Sequence, residues 1–379
     1  FKNKNKSLRS KLVKKFNIDK LLKKYSLLYS LDKNYIYSYD HKLIKKLKRY
    51  NSFNLIGMGG STLGTQAIYC FLKKKIKKKF FFFNNLQSIT NVDSRKPKAN
   101  IIISKSGNTL ETISNFNLIL DKEKKNKNII ITENKSNILR KIGKKLSAEI
   151  IEHKNYIGGR YSVLSEVGML PAELMGLNPK KFKKFNYLVK NKKFINSLFD
   201  NVINIHQLIN KGKTNSVILN YDDRSLNFCK WYQQLTAESL GKKSKGIFPI
   251  ISTMPKDNHS LLQLYIDGPK NNFFTFFSVR ENNSQKINKN LLYDNYSFLG
   301  KKNFQQIVMS QKKATENVFK NKKIPYRIFD IVRRNEESVG ELFTFFILET
   351  LLLSKLLNIN PLNQPSVELI KIETQKILN

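Results

Sequence analysis

Ile101-Ile102-Ile103-Ser104-Lys105-Ser106-Gly107-Asn108-Thr109-Leu110-Glu111-Thr112 changes character twice within one short run. Three β-branched residues read as a short buried strand. Small and polar residues follow, and then apolar positions at Leu110, Ile113 and Leu120 with helical spacing. Asn108, with Glu111 three residues later, predicts a capping-box start. A strand–turn–helix of this kind gathers free backbone N–H groups and the positive end of a helix dipole at the turn. The hydroxyls of Ser104, Ser106 and Thr109 and the ammonium of Lys105 crowd into the same place. Together they are the parts of a phosphate cradle. The same residue types also make ordinary turns, so a plain polar loop is the competing reading.

Working outward, Asn54–Gly57 reads as a strand entering Met58-Gly59-Gly60-Ser61-Thr62-Leu63-Gly64, and a helix runs through Tyr69–Leu72. Phe80–Phe83, Ile101–Ser104, Ile129–Thr132 and Glu149–Glu152 supply further strands separated by helix-length segments. That alternation predicts a parallel, doubly wound sheet, whose ligands collect beyond the carboxyl ends of its strands. Gly57–Gly64 and Ser104–Thr109 are both strand-exit loops. Gly59 and Gly60 allow close backbone approach to a phosphate, and Ser61 adds a donor. A dinucleotide fingerprint is the alternative, but the glycine spacing does not fit and no acidic ribose partner is evident.

A second αβ segment begins near Val202. Ser216–Tyr221 reads as a strand, and Asp223 or Ser225 is expected to cap a helix through Glu238 that stops at Gly241. Phe273–Val279 is another strand. The Asn/Lys-rich stretch 282–323 is expected to be a helical insertion. Glu341–Leu357 reads as an apolar helix, and a loop from Asn358 to Pro365 leads into a last helix from Val367 onward.

The chain has 379 residues, 40% hydrophobic and 26% charged, with a net charge of +41 from 69 Lys+Arg against 28 Asp+Glu. A nucleic-acid binder would produce such a charge. The excess is scattered, however, through tracts such as Lys73–Lys79 and Asn178–Lys193, without a finger, a basic zipper or an aromatic RNA motif. Solvated basic faces are therefore the preferred reading, and no specific nucleic acid is expected. The field would still help to collect an anionic substrate. Cys70 and Cys229 lie far apart and signal neither a disulfide framework nor a zinc site; both are expected to be buried thiols. Leu342–Leu357 is interrupted by Glu349, Ser354 and Lys355, so a core helix is expected and no membrane span. Phe1–Lys15 is basic without an apolar stretch, so no secretory signal is read and a cytoplasmic location is expected.

Several segments, in order, resemble the glucose-6-phosphate isomerase family: Ile56–Gly64, Ser104–Thr112, Ile157-Gly158-Gly159-Arg160-Tyr161-Ser162-Val163-Leu164-Ser165 and Gln234-Leu235-Thr236-Ala237-Glu238-Ser239-Leu240-Gly241-Lys242. Gly340–Phe343 and Asn363-Gln364-Pro365-Ser366-Val367-Glu368-Leu369-Ile370-Lys371 extend the match to about residue 371. The resemblance implies an α/β protein with two sugar-isomerase (SIS) type αβα sandwich domains, mainly parallel central sheets, and helices at both ends. The implied division is an N-terminal helical segment 1–50, a first phosphosugar-binding domain 51–195, a second domain 196–357, and a C-terminal loop and helix 358–379. It also implies a homodimer without metal or cofactor that interconverts glucose 6-phosphate and fructose 6-phosphate through a cis-enediol.

The chemistry agrees with that resemblance. Moving a proton between adjacent sugar carbons needs one base that can serve both, and a carboxylate in a dry site is suited to it. The matching residue is Glu238. The developing oxyanion needs a fixed cation, and Arg160 matches; a structural ion pair is its alternative role. By resemblance His259 opens the sugar ring and is contributed by the neighbouring subunit, and Lys371 assists near the ring oxygen. Phosphate contacts are expected from Ser61, Ser104, Lys105, Ser106, Thr109 and Gln364, and close backbone from Gly59, Gly60 and Gly159. His41, His153 and His206 are read as surface or structural.

Two departures bear on detail. The Ser-Lys-Ser-Gly-Asn-Thr cradle lacks the bulky aromatic of the family's long form and looks like a compact prokaryotic branch. A similar Ser-Gly-Asn-Thr occurs in dual glucose/mannose 6-phosphate isomerases, so tolerance of the epimer stays open. Ile370 stands where glycine is usual. A non-catalytic phosphosugar-binding regulator, the reading from another class, would keep the cradle and lose Glu238, Arg160 or Lys371; all three are present.

Overall fold

The computed structural model describes residue 10 and residues 18–86, 98–122, 126–281 and 284–379. Two parallel sheets organise them. The first has the order β2-β1-β3-β4-β5, from β1 (Ser52–Gly57), β2 (Lys79–Phe83), β3 (Ala99–Ile103), β4 (Lys127–Thr132) and β5 (Glu149–Glu152). The second has the order β7-β6-β8-β9, from β6 (Asn215–Asn220), β7 (Phe248–Thr253), β8 (Asn272–Val279) and β9 (Tyr326–Ile331).

Strands buried on both faces read as continuous apolar runs, and their side chains divide by the two-residue period. In the first sheet Phe53, Leu55, Ile101, Ile103, Ile129 and Ile131 face the large shared core. The intervening Ile56, Ile102 and Ile130 pack outward on Phe116, Ile119 and Leu139. In the second sheet Phe273 and Phe277 face the shared core, while Phe274 and Phe276 meet Phe319 on the outer side.

Register in the first sheet has a polar component that the apolar pattern does not reveal. Buried Asn54 donates to Asn100 at 2.9 Å, and Asn100 donates to Asn128 at 2.9 Å. These residues are direct partners across β1, β3 and β4. A slip would leave buried amides unpaired, so the ladder favours one register.

The helices that carry the site are α1 (Leu63–Phe71), α2 (Leu110–Lys122), α3 (Ile138–Lys145), α4 (Leu226–Leu240), α5 (Glu336–Leu357) and α6 (Pro365–Leu378). Helices α1 and α4 pack against each other, each following the first strand of its sheet. Helix α5 lies beside α4 and supplies much of the shared core, including Phe343, Ile347 and Leu351. Glu349, also on α5, is buried against Arg327, which in turn bonds Thr275 and Asn201. Among the described residues no helix is long and apolar enough to cross a membrane.

Several expectations need correction. Asn108 does not cap its own helix, which starts at Leu110; its carboxamide oxygen instead accepts from the first N–H of α3, Ile138 N, at 3.0 Å. Ser225 stands before α4, but its hydroxyl bonds Asp222 and not the helix. Strands β7 and β9 are additional to those expected: Pro249 interrupts the one, and Arg327 and Asp330 break the apolar run of the other. The 282–323 stretch has one long helix, Phe304–Asn321, opened by a capping box at Asn303 and Gln306. Cys229 is buried, but Cys70 is only half-buried, and both thiols are free. The segment expected between Phe83 and Ile101 lies largely outside the described residues.

Candidate active site

Six strand-exit, turn or helix-end segments meet in one cleft of about 310 Å³. After β1 the chain makes a tight turn, Gly59–Ser61, against a second turn, Gly159–Leu164, which follows β5. The contact is backbone on backbone. A Cβ on Gly60 would lie 2.2 Å from the carbonyl carbon of Gly159 and 2.5 Å from Arg160 N, so no larger residue fits. Gly59 has φ +52°, which L side chains rarely adopt, and a Cβ there would strike Gln234 at 2.7 Å.

The cradle loop joins β3 to α2. The Ser104 and Thr109 hydroxyls lie 2.8 Å apart, and Ser104 Oγ also accepts from Gly107 N at 3.1 Å. Ser104 is buried behind the cleft surface, whereas Lys105, Ser106 and Thr109 line it with Ser61. Lys105 donates to Asn155 O at 2.7 Å and lies 3.5 Å from Glu133.

The same cleft is lined by Arg160, its side chain only 3% exposed. Nε donates to Ser239 Oγ at 2.9 Å, Nη1 to Glu238 Oε2 at 3.0 Å and to Gln364 Oε1, and Nη2 to Pro361 O at 2.5 Å and Asn363 O at 3.3 Å. The guanidinium fork thus joins the end of α4 to the loop before α6. Tyr161 adds a bond to Pro361 O at 3.1 Å, and Lys242 donates to Asn360 O at 2.7 Å. Burial, with the Arg160 charge adding to it, pushes the Lys242 ammonium down to about 8.

Glu238 lies near the C-terminal end of α4. Its Oε1 accepts from Gln234, one turn earlier, at 2.7 Å, and its Oε2 accepts from Arg160. Both carboxylate oxygens are therefore oriented. Gln364 and Lys371 complete the rim, with Lys371 paired to Glu368 at 2.6 Å. Ile370 is exposed on α6 and does not line the cleft.

Of the residues singled out in the sequence, the cleft is lined by Ser61, Lys105, Ser106, Thr109, Arg160, Glu238, Gln364 and Lys371, and by Gly60 and Gly159. Ser104 and Gly59 support it from behind. His259 does not line it; it is exposed at the end of a short turn, Lys256–His259, after β7. His153 is buried and held neutral, burial pushing it down to about 4, with Nδ1 3.1 Å from Lys154 O. Five further residues line the cleft: Met58, Gln234, Glu133, Lys135 and Glu368. Gln234 is legible in the sequence, since it shares a helix face with Glu238 at a spacing of four. Glu133 and Lys135 follow β4, and only the strand order puts that loop beside the cradle. Among the described residues no group of three or more His, Cys, Asp or Glu could hold a metal ion.

A family model described as phosphoglucose isomerase matches residues 43–379. The chain belongs to the phosphoglucose isomerase family. It is 34% identical over 359 residues to a glucose-6-phosphate isomerase of Methanocaldococcus jannaschii, an alignment covering 87% of this chain and 85% of the relative. It is 32% identical over 366 residues to a probable glucose-6-phosphate isomerase of Methanococcus maripaludis, covering 89% and 80%. In fold it is similar to a hypothetical protein of Thermus thermophilus, with TM-score 0.83, 23% identity and 98% and 94% of the two chains covered. A glucose-6-phosphate isomerase of Chlamydia trachomatis superposes with TM-score 0.74 at 18% identity, covering 96% and 75%.

Proposed function

We propose that this member of the phosphoglucose isomerase family interconverts glucose 6-phosphate and fructose 6-phosphate, with Glu238 moving the proton between C1 and C2. The observation that carries the reading is a single cleft in which an oriented carboxylate touches a buried guanidinium and faces a hydroxyl-rich phosphate cradle. In this reading Ser61, Ser104, Lys105, Ser106, Thr109 and Gln364 hold the phosphate. Anchoring the non-reacting end there lets binding energy orient the reacting carbons. Glu238 takes the proton from one carbon and returns it to the next. Arg160 Nη1, on the cleft wall, offsets the negative charge that develops on the enediolate oxygens. Lys371 acts near the ring oxygen when the closed sugar opens.

His259 is the ring-opening residue only if a second copy delivers it, since within one chain it lies off the cleft. The homodimer is therefore part of the proposal. We also take 51–195 and 196–357 as the two sugar-isomerase-type halves, flanked by 1–50 and 358–379, a division supported by the two separate parallel sheets. The relatives' names favour glucose 6-phosphate over a dual glucose/mannose specificity. The test is a purified-protein assay that offers glucose 6-phosphate and mannose 6-phosphate in parallel and follows fructose 6-phosphate. Conversion of the first alone is expected. Absence of conversion from either would overturn the reading.

A further inference from the structure

The β4 exit loop brings to the cradle two charged side chains that the proposed reaction leaves without a task. Glu133 is buried, lines the cleft, and holds one ammonium on each oxygen: Lys135 at 2.6 Å on Oε2 and Lys105 at 3.5 Å on Oε1. The loop is fixed to the cradle by backbone as well. Glu133 N donates to Lys105 O at 3.1 Å, Thr132 Oγ1 donates to the same oxygen at 3.2 Å, and Ile138 N reaches Asn108 Oδ1. Lys135 is 64% exposed and lines the cleft while its ammonium pairs with the buried carboxylate.

We propose that Lys135 is an additional ligand for the substrate's phosphate and that Glu133 is a positioning residue that holds Lys135 and Lys105 at the phosphate end of the cleft. The inference rests on the phosphosugar reading of that cleft. A bare carboxylate beside a phosphate dianion would repel it. Here both carboxylate oxygens are already engaged by cations, and the three side chains together carry one net positive charge. Lysine stems are flexible, so two ammoniums tethered beforehand lose less freedom when the anion arrives. An ordinary surface pair between near neighbours does not account for the arrangement, because the carboxylate is buried and is shared with a lysine of the cradle itself.

The experiment uses the full chain and two readouts: calorimetric binding of inorganic phosphate and of fructose 6-phosphate, which need no turnover, and steady-state kinetics. Lys135→Ala is expected to weaken both ligands about fivefold, the scale of a partly exposed ion pair. KM should rise by the same factor with kcat within twofold. Lys135→Arg should bind within twofold of the parent. Lys144→Ala, which removes the same charge from an exposed position of α3 off the cleft, should change neither binding nor kinetics. Glu133→Gln removes one negative charge as well as the tether; phosphate is expected to weaken about threefold, because the loss of positioning of both ammoniums outweighs the added net positive charge. Unchanged phosphate binding in Lys135→Ala, or an equal loss in Lys144→Ala, overturns the ligand assignment. Tighter phosphate binding in Glu133→Gln overturns the positioning role. A parent protein that binds phosphate with these shifts but never converts glucose 6-phosphate would sink the isomerase reading and leave the lysine assignment standing.

Discussion

Replacing Arg160 by lysine keeps the charge and removes the fork. Arginine offers five N–H donors in a fixed plane, and here they go to Ser239, Glu238, Gln364, Pro361 O and Asn363 O. A lysine has three donors on one atom and cannot span acceptors on both α4 and the 361–364 loop. At least two bonds are lost from a side chain that is almost fully buried. Charged hydrogen bonds are each worth about 1.5–3 kcal/mol, and relaxation returns part of that, so a net loss of roughly 2–4 kcal/mol is expected. If all of it falls on the transition state, kcat drops roughly 30- to 900-fold. The loop should also loosen, because among the described residues Pro361 O keeps Tyr161 alone as a side-chain donor and Gln364 loses its bond to Arg160. Steady-state kinetics together with amide hydrogen exchange of residues 358–364 measure both effects. Faster exchange there, with β3 unchanged, is the expected pattern. A variant with kcat within tenfold of the parent and an unaltered exchange profile would refute the reasoning.

Three other outcomes are expected. Ser104→Ala combined with Thr109→Ala removes the hydroxyl pair of the cradle and should raise KM for phosphosugars about 10- to 100-fold with a smaller change in kcat; unchanged affinity would remove the cradle from the account. Glu349→Ala leaves buried Arg327 without its carboxylate and should cost about 3–5 kcal/mol in denaturant unfolding, while the folded fraction keeps its activity. Lys183, buried under Tyr35 and Tyr37, donates to Ser30 O and Leu164 O, and burial pushes its ammonium down to about 7. The unfolded chain then binds more protons than the folded one between about pH 7 and the ordinary lysine range near 10.5. Stability should therefore rise with pH in that window, by up to about 1.4 kcal/mol per pH unit relative to Lys183→Met. A pH-independent difference between the two proteins would contradict the burial argument.

What the sequence discloses and what it withholds divide along physical lines. Isoleucine runs such as Ile101–Ile103 and Ile129–Ile131 announce strands because both faces are buried, and β5 is found at Glu149–Glu152, where the alternation places it. Helix α4 is legible to its last turn, since Gly241 stops it. Strands β7 and β9 are not, because each is an edge strand with one side open and its apolar signal diluted. In the cleft, residues inside contiguous motifs can be read from the chain alone. Glu133 and Lys135 cannot, because their proximity to the cradle depends on β4 lying next to β3, which is a tertiary fact. The Arg160 fork is half legible: the resemblance of the Gln234–Lys242 segment to the family picks out Glu238, but the carbonyls of Pro361 and Asn363 have no side-chain signature. His259 remains the residue whose role depends on a second chain.

The proton transfer itself can be measured. Glu238→Gln keeps the shape of the side chain and an oxygen able to accept from Gln234 or Arg160, while it removes the base. With fructose 6-phosphate in deuterated water, the parent protein should wash deuterium into the sugar carbon from which the proton is taken. The variant should bind the sugar within a few-fold of the parent and lose both washing-in and turnover by about a thousandfold. Continued deuterium incorporation at more than a tenth of the parent's rate would show that another group carries the proton and would contradict the account.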